Sequence, residues 1–118
     1  MDRAQAVQIL KTSFAHSNAV PAATEETYAE RLSEERGNLL AKVVDPLPVL
    51  VRADELAARK GPAVGLHPMY LIARDRGQCL FYCIKTCHFF LGDGPIDNVG
   101  EFTMLGFSSD DALAEWLW

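Results

Sequence analysis

Several of the usual pointers to function are missing from this chain of 118 residues. Its 11 lysines and arginines are scattered among 16 acidic residues, for a net charge of −5. With no basic stripe to follow a phosphate backbone, nucleic acid is not expected as a partner. No window approaches the ~18 apolar residues of a membrane span. The opening Met1-Asp2-Arg3-Ala4-Gln5 lacks the basic head and apolar run of a secretory signal. The expectation is a cytoplasmic protein with no membrane partner. The glycines fit neither a phosphate loop nor a dinucleotide fingerprint, since Gly92-x-Gly94-Pro95 leads into no helix. No cofactor is expected. Repeats, low-complexity tracts and a dividing linker are absent too.

What is present is an ordinary globular mixture, 49% apolar and 23% charged. A chain of this size buries roughly two-thirds of the surface it exposes when unfolded, enough for one core. Residues 1–118 therefore read as a single domain.

The stretch Cys79–Leu91 holds all three cysteines and reads as one long central strand. Its alternation puts Cys79, Phe81, Cys83, Cys87 and Phe89 on one side and Leu80, Tyr82, Ile84, His88 and Phe90 on the other. Both sides are apolar, so each needs a cover.

Around this strand the pattern is α+β. Ala6, Val7, Leu10 and Phe14 mark a first helix over residues 2–16. Thr24 caps a second, which runs to about Val44 with a soft spot at Gly37-Asn38. Asp45-Pro46-Leu47-Pro48 is a rigid connector. Val49–Val51 is either a short edge strand or an apolar plug. Asp54 caps a short third helix, Glu55 to Lys60, stopped by Gly61 and Pro62. From Ala63 the period becomes two. Met69–Ala73 pairs with the central strand through the loop Asp75-Arg76-Gly77, with Gly77 in the left-handed position. That register sets Met69 opposite Cys83, Leu71 opposite Phe81 and Ala73 opposite Cys79. After the loop 92–100, Glu101–Phe107 completes a three-stranded antiparallel meander, four-stranded if Val49–Val51 joins it. Ser108 or Ser109 caps a C-terminal helix.

Chemistry is sought first at Cys79-x3-Cys83-x3-Cys87-His88. On a straight strand Cys79 and Cys83 lie about 13 Å apart, as do Cys83 and Cys87, at ~3.3 Å per residue. This is too far for disulfides and unlike the knuckles that hold zinc. Reduced core thiols are the ordinary reading, and no metal site is expected. A thiol nucleophile would need a nearby histidine; Cys83, Cys87, His67 and Tyr70 are the residues to test, in a pocket between sheet and helices. Asp93, Asp97 and Asn98 read as turn formers.

The second apolar face, with Tyr82 and Ile84, is the one feature that leans toward function. It suggests a non-enzymatic protein-binding module of the inhibitor, immunity-protein or adaptor kind, engaging another protein or a second copy of itself. Tyr82, Asp93, Asp97 and Trp118 would be its binding residues. A small enzyme or ligand-binding domain, and a homodimeric structural component, are the alternatives.

Overall fold

The computed structural model describes residues 1–16, 28–95 and 100–117. The expected cap Thr24, the loop residues Asp97 and Asn98, and Trp118 lie outside them. The order is α1 (Arg3–Phe14), α2 (Tyr28–Ala41), β1 (Val43–Ala53), α3 (Glu55–Ala58), β2 (Gly65–Asp75), β3 (Gln78–Cys83), β4 (His88–Asp93), β5 (Phe102–Ser109) and α4 (Ala112–Trp116). The class is α+β as expected, but five strands stand where three or four were read.

Helix starts follow local chemistry. Asp2 and Gln5 form a reciprocal capping box, the Asp2 carboxylate accepting from the Gln5 amide at 2.8 Å and the Gln5 side chain accepting from the Asp2 amide at 2.7 Å. Asp54 caps α3 as expected. The cap of α4 is Asp111, whose carboxylate accepts from the Ala114 amide at 3.1 Å, not Ser108 or Ser109. α2 passes through Gly37 unbroken and ends at Ala41, short of the expected Val44. The β-branched Val43-Val44 and the pre-proline Asp45 favour extended backbone there, so β1 begins at once.

The central stretch is two strands, not one. β3 ends at Cys83, Ile84-Lys85-Thr86-Cys87 turns, and β4 returns from His88. Cys87 takes a left-handed φ of 56°, and its amide donates to the Cys83 carbonyl at 2.8 Å. Phe81 then faces Phe90, Leu80 faces Leu91 and Tyr82 faces Phe89. Cross-strand partners share a face, so odd and even positions exchange sides at the turn. Phe89 and Leu91 join Leu80 and Tyr82, and Phe90 joins Cys79 and Phe81, contrary to the unbroken alternation.

In the β2–β3 hairpin Leu71 sits opposite Phe81 as expected, but a bulge follows and Ala73 meets Leu80 while Arg74 meets Cys79. The bulge turns both Ile72 and Ala73 toward the helices. The connection is the two residues Arg76-Gly77, and Arg76, not Gly77, is left-handed, at φ 57°.

Val49–Val51 belongs to a strand of eleven residues, antiparallel to β2. Five strands alternating in direction leave the first and last running the same way, so β1 closes on β5 in parallel, Val51 beside Phe102 and Arg52 beside Thr103. The meander becomes a closed barrel.

Closure creates two cores. Val51, Met69, Leu71, Phe81, Phe90, Phe102 and Met104 fill the barrel, with Phe81 edge-on to Phe102 at 6.0 Å and Ala57 of α3 added at the rim. Gly92 is required where β4 meets β5: a Cβ there would lie 2.0 Å from the Thr103 carbonyl oxygen. Outside, Ala6, Leu10, Phe14, Leu39, Leu113 and Trp116 of the helices pack on Ile72, Leu80, Tyr82, Phe89 and Leu91. The second apolar face is thus covered from within the chain at Ile72, Leu80 and Tyr82, while Ile84, in the turn, stays exposed.

Candidate functional site

β1 and β2 pair continuously from Leu47 opposite Leu71 to Ala53 opposite Gly65, whereas β3 ends at Cys83 and gives β2 no partner before Tyr70. The β1–β2 ribbon therefore runs on past the β3–β4 turn. Where ribbon and turn meet lies a groove of about 470 Å³, lined mainly by Pro48, Leu50, Pro68, Met69, Cys83 and Ile84, with Tyr70 and Lys85 also at its walls. Leu50 is 55% and Ile84 56% exposed. The prolines suit such a place, because an unpaired strand edge tolerates the missing amide and proline discourages further strand addition.

The turn sets the electrostatics. Burial works against ionisation of Cys83, but the Thr86 hydroxyl, the Thr86 and Lys85 amides and the Lys85 charge outweigh it and bring the thiol below its ordinary value. Cys87 is exposed, and its Sγ donates to the Ile84 carbonyl at 3.7 Å. Cys79 is buried in the barrel, where burial raises its thiol despite the Arg74 guanidinium at 3.9 Å.

A smaller groove of about 270 Å³ separates α1 from the β3–β4 turn, with Gln8, Ile9, Thr12, Tyr82, Cys87 and Phe89 among its walls. Burial, and then a hydrogen bond with Cys87, pushes the Tyr82 phenol up to about 12.

Of the four residues proposed for chemistry, Cys83 and Tyr70 come together in the larger groove. Cys87 lines the smaller one, on the sheet–helix side where a pocket was expected. His67 pairs with Val51, and its Nε2 lies 2.6 Å from the Ala63 carbonyl oxygen. His88 Nδ1 lies 3.2 Å from the Ser108 hydroxyl. Neither imidazole is among the described residues that line these two grooves. Of the proposed binding residues, Tyr82 is buried against Phe89, and Asp93 is exposed at the other end of the β3–β4 pair, opposite Gln78. Among the described residues no three His, Cys, Asp or Glu side chains converge as metal ligands, and no helix is long and apolar enough to cross a membrane.

Sequence reasoning missed Pro48, Leu50, Pro68 and Lys85 as site residues, and had Ile84 only as part of an apolar strand face. The available signal was Lys85-Thr86, two polar residues interrupting an apolar run where a strand would have none. Set against protein-family models, curated proteins and solved structures, the chain matches none.

Proposed function

We propose that the chain is a small binding domain, acting by association rather than turnover, whose ligand is slender and apolar with one polar end. The larger groove carries this reading. Its volume of about 470 Å³ falls within the roughly 300–1,000 Å³ of small-molecule sites, which are mostly apolar with a few polar groups to fix orientation. Leu50 and Ile84 leave apolar surface in water that a ligand would cover, at about 25 cal/mol per Å². Cys83 and Lys85 supply the polar end. Free thiols suit a reducing compartment, and we assign the protein to the cytoplasm on that basis.

Titration of dodecanoate, followed calorimetrically, tests the reading. Saturable binding that Leu50→Asp weakens by about tenfold or more, and Asp93→Asn leaves alone, is the expected result. Absence of binding, or binding indifferent to Leu50, would overturn it.

A protein-binding module is the second reading, favoured by a separate patch. Leu56 on α3 and Leu105 and Phe107 on β5 are 61%, 42% and 43% exposed. Lys60 draws this patch together, its ammonium 5.0 Å from the Phe107 ring centre and 3.1 Å from the Leu105 carbonyl oxygen. A second copy of the chain is the partner to test. Light scattering that shows a dimer which Phe107→Asp dissociates would support it; a monomer at micromolar concentration would remove it.

A further inference from the structure

We infer that Cys83 and Cys87 are a redox pair, which a small disulfide oxidant such as glutathione disulfide converts to a bridge across the β3–β4 turn. The inference is independent of what the larger groove binds.

On a straight strand these two cysteines would lie about 13 Å apart, beyond any bridge. The turn removes that bar. The Cys87 amide donates to the Cys83 carbonyl at 2.8 Å, and ordinary bond lengths on either side of that hydrogen bond hold the two Cα atoms within about 6.7 Å. Disulfides span roughly 4.4–6.8 Å between Cα atoms. A second observation is the residue type. Cys87 takes a left-handed φ of 56°, where glycine or asparagine would turn the chain at less cost, and a cysteine stands there, hydrogen-bonded through its backbone to another.

Both thiols are free, Cys87 exposed and Cys83 half-buried, so each can rotate about its Cα–Cβ bond to meet the other. Tyr82 is near both: after burial, its phenol is raised by a hydrogen bond with Cys87 and then by the charges of Cys87 and Cys83. Cys79 takes no part, being 0% exposed inside the barrel and four residues along β3 from Cys83.

The exchange balances. The Cys83 thiolate attacks one sulfur of glutathione disulfide, whose S–S bond breaks. One glutathione leaves as a thiolate and takes up the proton Cys83 released. Cys87 then loses its proton and attacks the Cys83 sulfur of the mixed disulfide, and the second glutathione leaves with that proton. Two protein thiols are oxidised and one glutathione disulfide is reduced to two glutathiones. Cys83 lines the larger groove and Cys87 the smaller, so turning their sulfurs toward each other changes a wall of both grooves through one bond.

The reduced full chain should be equilibrated with glutathione and glutathione disulfide and digested with trypsin without reduction. Trypsin cuts after Arg76 and Lys85, so the bridge joins peptide 77–85 to peptide 86–118. That linked product is expected, with loss of two hydrogens from the intact mass. Cys79→Ala should keep it. Cys87→Ser should stop at one glutathione on Cys83. The fraction bridged at a given glutathione ratio should correspond to an equilibrium constant about tenfold or more higher in the folded chain than in urea, because the turn holds the Cα atoms together. A bridge that uses Cys79, a bridge between two chains, glutathione retained on both Cys83 and Cys87, or a constant no higher than in urea would overturn the inference.

Discussion

Cys83 and Cys87 bracket one four-residue turn and are joined by a backbone hydrogen bond of 2.8 Å, yet their sulfurs meet different surroundings: Thr86 and Lys85 bring the Cys83 thiol below its ordinary value, while the Cys87 Sγ lies 3.7 Å from the Ile84 carbonyl oxygen. The difference comes from direction. A tight turn points the amides of Lys85 and Thr86 back at the residue before it, while the residue that completes it is left facing the Ile84 carbonyl.

Thr86→Val removes the side-chain donor to Cys83 and keeps both amides. Alkylation of Cys83 by iodoacetamide, mapped residue by residue against pH, should show a midpoint below the ordinary thiol value in the parent. The midpoint should move upward in the variant, with slower reaction at pH 7. An unmoved midpoint would mean that the hydroxyl contributes nothing to the thiolate.

Glu115 gives the fold a pH dependence. It is 6% exposed in α4, and burial, reinforced by the charge of Asp111, raises its carboxyl above the ordinary value of 4.5 despite the Ser109 hydrogen bond and the nearby His88. A carboxyl raised on folding favours the protonated native state. Its contribution is fully present below pH 4.5 and is lost as pH rises through the folded value. Glu115→Gln stays neutral and can keep the bond to Ser109. Its melting temperature should match the parent near pH 4 and exceed it at pH 7. A variant less stable than the parent at pH 7 would contradict this.

Gly37 sits inside α2, and a Cβ built on it meets nothing within 4 Å. Its cost is chain entropy alone, with no packing to defend it. Gly37→Ala should stabilise the protein by about 0.5–1 kcal/mol in urea unfolding, with an unchanged slope. A loss of stability would show that the helix needs glycine for a reason other than space.

How far the sequence could be read depended on where each signal resides. α1 and the short α3 follow from spacing and the Asp54 cap, which are local. The pairing of Leu71 with Phe81 was legible too, because hairpin register depends on a few neighbouring residues. The turn at 84–87 was not, since Ile-Lys-Thr-Cys contains no glycine, proline, asparagine or aspartate to announce it, and a cysteine occupies the left-handed position. Missing that turn turned two strands into one and assigned Phe89 and Phe90 to the wrong sides. β1 was hidden by Pro46 and Pro48, which ordinarily argue against a strand and here lie beside an unpaired edge. Asp111 lost to the serines as the α4 cap because all three are good caps in sequence and only tertiary contact selects one: the Ser13 hydroxyl binds the Ala112 amide at 2.8 Å, across the molecule. The groove needed both β1 and the turn, and was invisible without them.

An odd number of strands leaves the barrel with a zip fastener of unequal strength. Around most of its circumference, neighbours in sequence are neighbours in the wall, and each junction closes a short loop. At the parallel seam, two rungs join residues about fifty positions apart, and loop-closure entropy makes that junction the most demanding to form. Arg52 and Glu101, paired across it on the outer surface, act where the ladder is shortest. The wall should assemble from β2 to β5 and close at Val51 and Phe102 last, and native-state opening should begin at the same place.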